Sequence, residues 1–136
     1  MRRRARVLGA LSVAFGVPSA LLALLGLAFA LYSPPAPDLT AAQHHYQIAS
    51  TATFFVMAIA LVVIGFGLLF RKRWSRAAGI VWAIVAIAVV EFEFYLVGEL
   101  GASRTWHMMV TLVIETTFPM TMLLLLARRP AQDDFI

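Results

Sequence analysis

Glu91, Glu93 and Glu99, three of the chain's seven acidic residues, fall inside or at the outer end of one apolar stretch, and a fourth, Glu115, lies in the next. A carboxylate inside an apolar span costs roughly 2.5–3.5 kcal/mol on insertion scales, so such residues mark either function or a specific partner. Two carboxyls brought to one depth cannot both ionise freely. They titrate as a coupled pair that shares a proton, which suits proton transfer, general acid–base chemistry or cation binding.

Spacing suggests which groups meet. If the two stretches turn back on each other around residues 102–104, positions whose numbers sum to about 206 lie at equal depth. This sets Glu91 against Glu115, Tyr95 against Thr111 and Glu99 against His107, with each stripe repeating every four residues along its helix. Glu91, Glu115 and Tyr95 are therefore the candidate acid–base or ligand-binding residues. Pro119 has no N–H to offer the Glu115 carbonyl, which places a further acceptor beside that carboxyl. Glu93 follows Glu91 by two positions and points to nearly the opposite face, so it is expected to meet another helix or another subunit. His44, His45, His107 and Glu99 sit near the outer ends of their stretches and are candidate ligands for a divalent metal. Adjacent His44 and His45 lack the i,i+4 spacing of a helical metal pair, so that signal is weak. The chain has no cysteine, no phosphate-binding glycine loop and no nucleophile elbow, and nothing in it names a cofactor.

The elements that must position these groups follow from composition. Hydrophobic residues make up 62% of 136 positions, and the mean hydropathy of +0.87 is too apolar for a soluble domain of this size. Four apolar runs, 7–32, 48–70, 77–98 and 106–127, have 22–26 residues each. That length crosses a hydrocarbon core of about 30 Å at 1.5 Å per residue. The expected architecture is an all-α integral membrane protein, with residues 1–136 forming one antiparallel bundle of four transmembrane helices. Ten of the eleven Arg and Lys residues lie at the N-terminus, in the Arg71–Arg76 turn or in the C-terminal tail, and only Arg104 lies on the other side. The positive-inside rule then puts both termini in the cytoplasm. The same placement explains the net charge of +4 without nucleic acid, which is not an expected partner.

The first run is longer than the 7–15 residues or so of an ordinary signal-peptide core, so it is expected to remain as a span. Gly9, Ser12, Gly16 and Ser19 line one of its faces with small residues, a pattern that lets helices approach closely. Pro18 is expected to kink it. Ser33-Pro-Pro-Ala-Pro37 ends it, and the loop is expected to continue to Gln47. Gly65-Phe-Gly-Leu-Leu-Phe-Arg-Lys-Arg-Trp-Ser-Arg76 resembles the inner helix endings of many small four-span bacterial membrane proteins, which implies the bacterial cytoplasmic membrane.

Three functions fit this pattern. The first is an interaction or accessory subunit of a membrane assembly or homo-oligomer, lying among lipids, with its carboxylates buried at contacts. The second is an acid–base enzyme or binding protein for a lipophilic, lipid- or isoprenoid-like substrate. The third is a proton, cation or metal binder or carrier using the same carboxylates. Conduction across the whole bilayer is disfavoured, because the inner halves of the last two runs hold little polarity beyond Thr116, Thr117 and Thr121.

Overall fold

The computed structural model describes residues 2–34, 37, 40–99 and 106–128, with side chains at 3–34, 37, 40–95, 113 and 115–128. They form four helices: α1 (Arg2–Tyr32), α2 (Ala41–Leu69), α3 (Arg73–Glu99) and α4 (Trp106–Ala127). There is no strand among the described residues. Three helices are long and apolar enough to cross a membrane: Arg3–Tyr32, Ala41–Leu69 and Arg73–Tyr95.

Helix α2 begins well before the apolar run it carries. Thr40 and Gln43 form a capping box: the Gln43 N–H donates to Thr40 Oγ1 (3.2 Å), and the Thr40 N–H donates to Gln43 Oε1 (3.0 Å). His44, His45, Tyr46 and Gln47 are therefore helical, where a loop to Gln47 was expected. The other end closes in a Schellman turn. Lys72 N–H donates to the Gly67 carbonyl (2.8 Å) and Arg71 N–H to that of Leu68 (3.1 Å), with Arg71 in the left-handed region at φ 56°. Gly67 is required there, since a Cβ would lie 2.7 Å from Ser75 Cβ and 2.9 Å from the Trp74 ring.

The centre of the molecule is α2, which packs on both α1 and α3, while α4 packs on α3. Small residues set the α1–α2 contact. A Cβ on Gly9 would lie 2.7 Å from Gly65 O and from Leu69 N, and one on Gly16 would lie 2.8 Å from Val62 Cγ2. Ser12, wholly buried between them, turns its hydroxyl to the Leu8 carbonyl (2.8 Å). All four helices contribute to the core, with Leu8, Leu61, Ile64, Leu68, Trp82 and Met122 among its members. The outside is apolar too: Leu22, Leu25, Phe29 and Val81 are each about 60–70% exposed.

The open end of α4 is held from α3. Arg76 Nε donates to the Leu126 carbonyl (2.9 Å), placing a cation at a helix C-terminus. Hydrogen bonds from charged groups contribute about 1.5–3 kcal/mol. Arg76→Met is expected to lower stability within that range, whereas Arg73→Met, at an exposed position, should change it little. Thermal unfolding of the two purified variants in one detergent checks the difference.

Candidate functional site

Rotation of α3 decides which carboxylate faces inward. Gly79, Trp82, Ala83, Ala86 and Val90 form its buried face, and Glu93 continues that face one turn further on. Trp82 holds the orientation. Its Nε1–H donates to the Met57 carbonyl of α2 at 2.9 Å, and its ring meets the edge of Phe118 of α4 at 6.3 Å. Glu93 therefore occupies the inner, half-buried position and Glu91 is exposed. The pairing of Glu91 with Glu115 expected from spacing is not what the structure contains. Equal depth along an antiparallel hairpin leaves helix rotation undetermined. Small residues on the Gly79–Ala83–Ala86 face were the available signal, because they permit the close approach that buries a face.

Glu93 accepts a hydrogen bond from Ser50 Oγ of α2 at 2.8 Å. Tyr46 lies beside Ser50, one turn earlier on α2, and near enough to Glu93 for the carboxyl to act on it electrostatically. Glu115 of α4 acts electrostatically on Glu93 in turn. The result is a polar cluster from three helices: Tyr46 and Ser50, Glu93, and Glu115. Sequence reasoning missed Tyr46 and Ser50, although their i,i+4 spacing places them on one face of α2.

Below the cluster lies a cavity of about 280 Å³ between the four helices. Phe15, Ser19 and Leu22 line it from α1, Phe54, Met57 and Leu61 from α2, Trp82 and Val89 from α3, and Glu115 and Phe118 from α4. Among the described residues Glu115 is the one ionisable side chain in its wall. Ser19 spends its hydroxyl proton on the Phe15 carbonyl (2.7 Å), so the remaining surface is largely apolar. Phe15 and Phe118 stack at 5.1 Å with planes 11° apart. The same two rings line a second, open groove of about 580 Å³ between α1 and α4, which runs to Arg3 and Arg4. The stacked pair thus forms the partition between groove and cavity.

Pro119 lies inside α4 and brings no N–H to the Glu115 carbonyl. Two nearby hydroxyls go elsewhere: Thr117 donates to Val113 O (2.6 Å) and Thr121 to Thr117 O (2.8 Å). Tyr95 is 56% exposed and stands apart from the cluster. Side chains of Glu99, His107 and Thr111 lie outside the described residues, and with them the Glu99–His107 and Tyr95–Thr111 rungs. His44 and His45 sit at the start of α2 with ring centroids 6.3 Å apart. Among the described residues no group of three or more His, Cys, Asp or Glu side chains gathers into a metal site.

A carboxyl at the edge of an apolar cavity, backed by a second carboxyl and two hydroxyls, has two chemical uses. It holds a proton within the cluster, or it neutralises a cationic group brought in on an apolar body. Comparison with known proteins adds no precedent: no family model, curated protein or solved structure matches the chain.

Proposed function

We propose that this chain is a membrane-embedded binding protein for a small lipophilic molecule bearing an amine or other cationic group. In this reading the four helices cross the bacterial cytoplasmic membrane with both termini and the basic Arg71–Arg76 turn on the cytoplasmic side. The apolar exterior and the one-sided distribution of Arg and Lys support that placement. The cavity between the four helices carries the functional reading. At about 280 Å³ it falls just below the usual range of ligand pockets, about 300 to 1,000 Å³, and so suits a small ligand. Its apolar wall takes the body of the ligand, and Glu115 supplies the counter-charge. Ser50 holds Glu93 behind it, within electrostatic range of Glu115.

The test uses an isosteric pair, benzyltrimethylammonium and neutral neopentylbenzene, titrated into the protein in nanodiscs with tryptophan fluorescence as one readout. The cation is expected to bind more tightly than its neutral isostere. Glu115→Gln should weaken the cation by about 10–100-fold, since a charge-assisted contact contributes about 1.5–3 kcal/mol, and leave the neutral compound unchanged. Equal affinity for both compounds in the unaltered protein would refute the reading.

A second reading, that of a subunit within a membrane assembly, is favoured by one observation. Glu91 projects from the exposed face of α3, within the stretch long and apolar enough to span a bilayer. A carboxyl facing hydrocarbon requires a partner.

A further inference from the structure

The exposed face of α3 has a regular composition. Trp74, Ala77, Val81, Ile84, Ala88, Glu91 and Tyr95 are all exposed, and they follow one another at alternating steps of three and four. Trp74, Val81, Ile84 and Tyr95 are 50–60% exposed. This is the heptad spacing of a seam between two helices crossing at about 20°. It lies opposite the Gly79, Trp82, Ala86 and Glu93 face, which α2 and α4 already cover. The chain's own helices leave the seam open.

Glu91 determines what can cover it. The seam is apolar elsewhere within the span, so an occupant must bring both a hydrogen-bond donor and an acceptor to the depth of Glu91. A second copy related by a two-fold axis along the membrane normal does so, because in such an interface each residue on the axis meets itself. Two protonated carboxyl groups facing each other exchange hydrogen bonds, each donating its O–H to the carbonyl oxygen of the other. Ala77 and Ala88 keep the backbones close on either side.

Resting on the membrane placement proposed above, we infer that the protein is a two-fold dimer whose interface is the α3 seam, closed by the pair of Glu91 carboxyls. A polar residue facing away from the core is then the recognition element, and the ligand cavity of each copy stays independent of it.

The chain has no cysteine, so single cysteines report proximity directly. Ile84→Cys and Ala88→Cys are expected to form disulfide-linked dimers when oxidised in liposomes. Leu22→Cys, on the exposed side of α1 (69% exposed), should not. Stoichiometry by single-molecule photobleaching should show dimers for the unaltered chain and Glu91→Gln, which keeps a donor and an acceptor. Glu91→Leu should lose at least tenfold in dimer affinity. Monomers in the unaltered protein, cross-linking at Leu22→Cys as fast as at Ala88→Cys, or undiminished dimers in Glu91→Leu would each overturn the inference. Cation binding by Glu91→Leu should be unchanged, which separates this result from the fate of the binding proposal.

Discussion

Gly9→Ala is expected to lower stability by about 2–3 kcal/mol, while Gly26→Ala on the same helix costs nothing. One methyl group is added in both cases, so the difference reports its surroundings. At Gly9 the new carbon would sit 2.7 Å from a backbone oxygen and 2.7 Å from a backbone nitrogen of α2, contacts that no side-chain rotation relieves. Helix α1 must move away from α2 along its length, and overpacking of that kind costs about 1–3 kcal/mol. At Gly26 the nearest atom is Thr51 Cγ2 at 3.5 Å, an ordinary contact. There alanine keeps its helix-propensity advantage over glycine, up to about 1 kcal/mol. Reversible unfolding of both variants in mixed micelles, followed by circular dichroism, gives the comparison. Equal stabilities would mean that α1 and α2 do not meet backbone to backbone.

That contact is also the part of the packing most legible in the amino-acid sequence. Gly9, Ser12 and Gly16 repeat at helical spacing among large apolar residues, and a small-residue stripe has few uses in such a helix other than close packing. Helix positions were legible for a similar reason, since runs of 22 or more apolar residues between prolines and arginines admit few other structures. The early start of α2 was written in Thr40 and Gln43, but hydropathy overlooks a capping box because His44, Tyr46 and Gln47 dilute the apolar signal.

Helix rotation was the least legible quantity, and the site depends on it. In a soluble helix the polar face announces the outside. Here both faces of α3 are apolar, so Glu91 and Glu93 offer equal claims to the interior. Charge alone favours neither. What separates them is Gly79: with Ala83 and Ala86 it shares a face with Glu93, whereas Ala77 and Ala88 on the Glu91 face stand among Val81, Ile84 and Tyr95 with no glycine. The carboxylate that reaches the neighbouring helices is the one on the small-residue side. The cavity beside Glu115 was illegible for a further reason. It is a space left between residues of four helices, and no local pattern encodes it.

Trp82 connects packing to the site, and Trp82→Ala is expected to cost about 3–5 kcal/mol, the range for truncating a large buried aromatic. Trp82→Phe keeps a ring against Phe118 but loses the hydrogen bond to the Met57 carbonyl, and should cost about 1–2 kcal/mol. The larger consequence is rotational. Eleven residues separate Trp82 from Glu93, about three turns, so both lie on one face and the indole holds the carboxyl toward Ser50. A double-mutant cycle isolates this link from the loss of packing. Ser50→Ala alone should cost about 1.5–3 kcal/mol, since it removes a 2.8 Å bond to a carboxylate. In a Trp82→Ala background the same change should cost much less, because α3 is then free to turn Glu93 out of reach. The two side chains share no contact in the structure, so independent effects would add within about 0.5 kcal/mol. Additivity would show that the indole supports the core without orienting the carboxyl. A large coupling would show that the face α3 turns to its neighbours, and hence which of its glutamates meets Ser50, is set by one tryptophan three turns away.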